Sequence, residues 1–229
     1  QEFIRFLSYI WNMSKNLEDS GLKSIASEYD LFFIDIWGVV HNGIKLYENA
    51  VRALEELANN EKKFILLTNA PRPNLTVINT LKKMGLNNFS DTVFTSGEAS
   101  KRYLLENFNN KKFFHLGPPR DFDLFKTFED NKVLNIDNSD YLLCSGLFEE
   151  YENDLGYYKT LLLKHINKKM ICTNPDLIVD RGDNREYCAG SIAKAFEEIN
   201  GEVIYFGKPY PPVYEIAADV NNKKILCIG

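Results

Sequence analysis

"LFFIDIWGVVHNG", residues 31–43, begins with four apolar residues, reaches a carboxylate at Asp35 and then enters a loop with glycines at positions 38 and 43. A continuous apolar run of this length suits a parallel strand buried on both faces. An acid at the carboxyl end of such a strand lies where open α/β sheets bind their ligands. Two residues further on, where a second carboxylate would complete an acid/base pair, the chain has Trp37. An isolated aspartate at this position can equally form a turn or cap a helix, so its meaning depends on what the rest of the chain brings to the same rim.

Working outward, strand and helix patterns alternate. "YENAVRALEELANN" (47–60) places Ala50, Val51, Leu54, Leu57 and Ala58 on one helical stripe. "KKFILL" (62–67) is a second buried strand, and "PNLTVINTLKKMGL" (73–86) is a helix with Gly85 as its stop. A short strand and helix follow over residues 91–108. This βαβαβα succession predicts a parallel sheet with right-handed crossovers. The middle is less regular, with strands expected at 111–117, 140–146 and 168–174 and a helix around 155–165. A helix at 188–200, a strand–loop–helix at 202–220 and a last strand at 223–229 complete the pattern. Phe3, Leu7, Ile10 and Trp11 recur at helical spacing, so residues 1–28 are expected to form an N-terminal helical extension.

Three strands therefore deliver chemistry to one rim. Asp35 ends the first, Thr68 and Asn69 end the second, and Lys208 follows "EVIYF". A carboxylate can attack phosphorus and form an aspartyl-phosphate. Thr68 and Asn69 can hold phosphoryl oxygens, and Lys208 can offset developing negative charge. Gly38 would let loop N–H groups approach a phosphate closely. His41, on the same exit loop, titrates near pH ~6.5 when unperturbed and could replace the missing acid/base. Arg72, Asp176 and Arg181 are further candidates for substrate contact or proton transfer, and Asp180 and Asp183 lie beside the last two.

Composition narrows the choice of partners. The chain of 229 residues is 45% apolar and carries a formal charge of -5, so no basic excess is available for general nucleic-acid binding. No run approaches the ~18 apolar residues of a membrane span. The four cysteines are scattered without a CxxC pair, which argues against a zinc site or a disulfide framework. Cys144, Cys172 and Cys227 each end an apolar run, which suits buried thiols in a reducing cytoplasm.

Asp35-Ile-Trp-Gly-Val, Leu66-Leu-Thr-Asn and Gly207-Lys-Pro, in this order, resemble the first three motifs of the haloacid dehalogenase-like superfamily. The long segment between the second and third motifs, with "TNPD" at 173–176, is similar to the class IIA branch, which includes p-nitrophenyl phosphatase-like enzymes. The tighter pattern around Trp37 and "TNAPRP" resembles a subgroup of that branch. The resemblance covers roughly residues 22–229. It implies a Rossmann-like parallel-sheet core (1–94 and 181–229) with an inserted α/β cap (95–180). It also implies Mg²⁺-dependent hydrolysis of a small phosphorylated metabolite, and it is compatible with a homodimer.

Two departures from the family pattern set further expectations. The usual second aspartate of the first motif transfers protons, which an indole cannot do. Weak turnover is therefore expected, with a non-catalytic phosphometabolite-binding relative as the alternative and a metal-independent carbon–halogen hydrolase as a minor one. The family's fourth motif, a carboxylate for Mg²⁺, would fall just after Gly229. The chain is thus expected to be a fragment, holding Mg²⁺ weakly through Asp35 and the backbone carbonyl of Trp37.

Overall fold

The computed structural model describes residues 21–181 and 184–229. The expected helix near the amino terminus and the candidate Asp183 lie outside these residues, apart from two short 3-10 turns at Leu22–Ser24 and Ala26–Glu28.

The apolar runs become strands, and their burial follows from pairing on both sides. In the first half, β1 (Leu31–Ile34), α1 (Glu48–Asn59), β2 (Lys63–Thr68), α2 (Asn74–Lys83), β3 (Val93–Thr95) and α3 (Ser96–Asn107) alternate. Next come β4 (Phe113–Leu116), β5 (Lys132–Val133), β6 (Tyr141–Cys144), α4 (Leu155–Leu162) and β7 (Lys169–Cys172). A hairpin of β8 (Ile178–Arg181) and β9 (Asn184–Tyr187) precedes α5 (Ala189–Glu197), β10 (Glu202–Tyr205), α6 (Pro211–Ala217) and β11 (Ile225–Ile228).

Two parallel sheets result. The first has the order β11-β1-β2-β3, with Phe33 opposite Cys227 on one side and Ile65 on the other. The second has the order β10-β7-β6-β4-β5. Side-chain alternation divides the core into three clusters. Phe32 and Ile34 face Leu54 and Leu57 of α1 and Leu81 of α2. Leu31 and Phe33 face a cluster that takes in Leu104 of α3 and Val213 of α6, and continues to Phe113, Leu143 and Ile171 of the second sheet. The far face of the second sheet, with Leu142, Cys144 and Met170, is covered by Tyr158 and Leu162 of α4 and by Ile192 and Phe196 of α5. The two sheets thus share one apolar layer.

Sheet membership does not follow the boundaries expected at 95 and 180. Helix α3 contacts α6 and belongs to the shared layer. Strand β10 lies beyond residue 180 yet pairs with β7, Val203 opposite Met170. The strands of the second sheet therefore run from 113 to 205. An apolar run such as "VIY" announces a strand but carries no label for the sheet that receives it. Cys144 and Cys172 are buried as expected, and Cys188 is buried as well, whereas Cys227, expected to be buried at the end of its apolar run, is exposed on β11.

Candidate active site

The first sheet reverses its strand order between β1 and β11, and this switch point positions Asp35. The Asp35 backbone N–H donates to Ile228 C=O at 2.8 Å, continuing the ladder one step past the strand. Its Oδ1 accepts from the Ile36 N–H at 2.7 Å and lies 2.6 Å from Lys208 Nζ. The lysine arrives from the loop after β10, in the other sheet, so the carboxylate–ammonium pair joins the two units.

Asn69 holds that lysine loop in place. Its Oδ1 accepts from Lys208 N–H at 2.7 Å, while its Nδ2 donates to Lys208 C=O at 3.1 Å and to Asp176 Oδ1 at 2.8 Å. The amide expected to hold a phosphoryl oxygen is thus occupied with positioning. A side chain at Gly207 would strike Pro175 and Asn69 Oδ1, so the loop can close onto Asn69 only as glycine. Thr68 is buried beside it and accepts from Ala70 N–H at 3.2 Å. Gly38 turns the chain at φ +80°, but its N–H donates to His41 C=O at 2.8 Å and is not directed at a ligand.

Trp37 occupies the position of the missing acid, with 45% of its surface exposed. Its indole lies against Gly43, where a Cβ would come within 2.7 Å of Cη2, and meets the His41 ring edge-on at 5.4 Å. His41 is buried beneath it, and Nδ1 accepts from Gly43 N–H at 2.8 Å. Burial lowers the His41 pKa below its usual value, with Asp35 partly opposing the shift. A neutral imidazole whose Nδ1 is already an acceptor secures the loop and is poorly placed to supply a proton.

A cleft of about 1160 Å³ runs between the sheets. Asp35, Trp37, Asn69, Arg72, Asp176 and Lys208 line it, and His41 does not. Loss of solvent around the Asp176 carboxyl raises its pKa; Asn69 and Lys208 pull it down and Asp35 pushes it up. The residue as a whole is exposed. The Arg72 guanidinium is engaged at both ends of Asp123, with 2.8 Å contacts from Nε and Nη2, and Thr76 Oγ1 donates to the same carboxylate at 2.6 Å. Arg72 thus latches the first unit to the second. The backbone of Arg181 ends β8 opposite Asn184.

The wall across from Asp35 includes Asp121 and Ser145, which the sequence reading passed over. They come from separate loops and form no motif, so only the adjacency of β4 and β6 brings them together. One signal was present: each of these strands runs into a glycine, Gly117 and Gly146, as ligand-facing strand ends often do.

A family model described as haloacid dehalogenase-like hydrolase matches residues 32–129. A haloacid dehalogenase-like hydrolase from Brucella suis is 31% identical, with a TM-score of 0.80 over 91% of this chain and 80% of its own. A 4-nitrophenylphosphatase from Thermotoga maritima is 27% identical, with a TM-score of 0.70 over 89% and 78%. An acid sugar phosphatase from Staphylococcus epidermidis is 24% identical over 84% of this chain and 74% of its own. Among the described residues no helix is long and apolar enough to cross a membrane.

Proposed function

The chain belongs to the haloacid dehalogenase-like hydrolases, in their class IIA branch, and on that footing we propose that it hydrolyses phosphate monoesters of small alcohols through Asp35. The observation that carries this reading is the Asp35–Lys208 pair at 2.6 Å, opening onto the cleft at the switch point of the first sheet. Relatives named as acid sugar phosphatase and 4-nitrophenylphosphatase support the substrate class.

In the first step a carboxylate oxygen of Asp35 attacks phosphorus, the bond from phosphorus to the alcohol oxygen breaks, and an aspartyl-phosphate remains. Water then attacks that phosphorus and releases inorganic phosphate, regenerating the carboxylate. Lys208 offsets the negative charge that spreads over the phosphoryl oxygens. Asn69 acts through Lys208, as a positioning residue.

The alcohol must leave with a proton, and indole cannot give one. Of the candidates, His41 is turned into its own loop, whereas Asp176 lines the cleft within electrostatic reach of both Asp35 and Lys208. Asp176, with its raised pKa, is the better stand-in as acid and, in the second step, as base.

No group of three or more His, Cys, Asp or Glu side chains among the described residues is placed to hold a metal. Asp35 and the Trp37 carbonyl would hold Mg²⁺, a set that suits this ion only when waters and the substrate phosphate complete it. When bound, the ion would neutralise charge on the phosphoryl group.

The test is a phosphatase assay with Mg²⁺ on a panel of monoesters. Asp35→Asn should lower kcat by about 10⁴-fold or more; activity that survives the change removes Asp35 from the mechanism. The exposed indole also favours a second reading, a phosphometabolite-binding protein with negligible turnover. Tight ester binding without product release in the same assay would select it.

A further inference from the structure

The second sheet reads β5-β4-β6-β7-β10 from one edge, so chain order along it is 2-1-3-4-5. This is a doubly wound sheet in its own right, and its strand order reverses between β4 and β6. Ligands of such sheets bind outside the carboxyl ends of the strands at that reversal. The residues found there are His115 near the end of β4, Asp121 in the 3-10 segment that follows it, and Ser145 directly after β6.

The three side chains form a hydrogen-bonded row. Ser145 O–H donates to Asp121 Oδ2 at 2.8 Å, and His115 Nε2 lies 2.8 Å from Ser145 Oγ. The serine has a single proton and gives it to the aspartate, so Nε2 carries the hydrogen of the second contact. Gly117 makes the row possible: a Cβ there would fall 2.2 Å from Ser145 Oγ and 2.7 Å from His115 Nε2. Asp121 is 4% exposed, and what remains of its surface opens into the cleft, with Oδ1 3.9 Å from Arg72 Nη1. Burial holds the His115 pKa down to about 3 and pushes that of Asp121 up, so the imidazole stays neutral in the row.

We propose that this second switch point binds the alcohol half of the substrate, with Asp121 and Ser145 accepting hydrogen bonds from the hydroxyl groups of a neutral polyol. The proposal rests on the phosphatase reading of Asp35 and names its substrate class: polyol monophosphates. The remaining capacity of the row is for acceptance only, at Asp121 Oδ1 and a free lone pair of Ser145, and hydroxyl groups supply the matching donors. Glu149 and Glu152 line the same wall and disfavour a leaving group that carries a carboxylate or a second phosphate. Arg72 and Arg120 stand near Asp121 and offset its charge, so the site does not call for a cationic amine either.

The test compares glycerol 3-phosphate, 2-phosphoglycolate and p-nitrophenyl phosphate. Wild type should favour glycerol 3-phosphate over 2-phosphoglycolate by about tenfold or more in kcat/KM. In Asp121→Asn and in Ser145→Ala, the ratio of kcat/KM for glycerol 3-phosphate to that for p-nitrophenyl phosphate should fall about tenfold. Ser145→Ala removes a single oxygen and gives the answer if Asp121→Asn fails to fold. An equal fall for both esters, or a preference for 2-phosphoglycolate, overturns the proposal. Calorimetry of glycerol 3-phosphate on Asp35→Asn protein, with and without Asp121→Asn, reads the same site without turnover, and Kd should weaken about tenfold. Binding of this kind without wild-type turnover defeats the hydrolase reading and leaves the polyol site standing. Hydrolysis of the aryl ester with no polyol preference does the reverse.

Discussion

At the rim of the first sheet an acid and a lysine meet at 2.6 Å, and each keeps about a quarter of its side chain exposed. At the rim of the second sheet an acid, a hydroxyl and an imidazole are packed into a row in which the acid is 4% exposed. Both rims are switch points of parallel sheets, and both face one cleft. The difference in burial matches the different tasks proposed for the two rims. A nucleophile needs an open face for phosphorus and a counter-charge that can follow the transferring group. A recognition element needs acceptors that cannot move, and burial among fixed partners provides that.

The sharpest way to break this division is at Lys208. Replacing it with methionine removes the ammonium that the second unit places 2.6 Å from Asp35 Oδ1. The expected loss in kcat is ~10²–10³-fold. It should be the same for aryl and polyol esters, because the lysine serves the phosphoryl group common to both. Steady-state kinetics on both esters checks this, and a loss confined to one of them would mean that the rims do not divide the substrate.

The two rims were not equally legible in the sequence. Asp35 and the Thr68–Asn69 pair follow an apolar run directly and Lys208 follows one after a single glycine, so period and position together mark them. The strands and helices expected between residues 31 and 108 all formed, because buried parallel strands and amphipathic helices leave strong patterns. The sheet that would receive β10 could not be read, since pairing partners are set by tertiary packing. Asp121 escaped because it sits in a 3-10 segment five residues past its strand, and its partners lie six residues before it and twenty-four after it. Asn69 was legible as a site residue, but its task was not: an amide that grips both the N–H and the C=O of Lys208 becomes visible only when the loops meet.

A smaller effect is expected at Trp37. Restoring a carboxylate with Trp37→Asp should raise kcat by about 10- to 100-fold, the lower part of the range for general acid/base catalysis, because the loop around Gly43 is shaped to the indole. Asp176→Asn should slow the wild type by about tenfold but leave the Trp37→Asp protein nearly unaffected, since the new acid takes over the proton. A double-mutant cycle in kcat measures the coupling. Additive effects would show that Asp176 only orients Asn69, through the 2.8 Å contact that already joins them.

The smallest expected effect is on stability and belongs to the second rim. Folding holds His115 neutral with a pKa of about 3, while an unfolded histidine titrates near 6.5. The folded pKa is depressed, so the unfolded chain binds the proton first as pH falls. Stability is therefore complete above about pH 6.5 and drains away as pH drops toward 3, by about 1.4 kcal/mol per unit at most. His41, lowered by its own burial, contributes with the same sign. Asp121 acts oppositely, because its raised pKa lets the folded state take up a proton before the unfolded one does, and this recovers part of the loss at the acid end. Unfolding free energies from urea titrations at pH 7.5 and 5.5 should differ by about 1–2 kcal/mol in wild type. The difference should shrink in His115→Gln, whose amide can still donate to Ser145, and should persist in Lys208→Met. If Lys208→Met abolished it instead, the acid sensitivity would lie at the reactive rim, and the buried row would lose its claim to be the rigid half of the cleft.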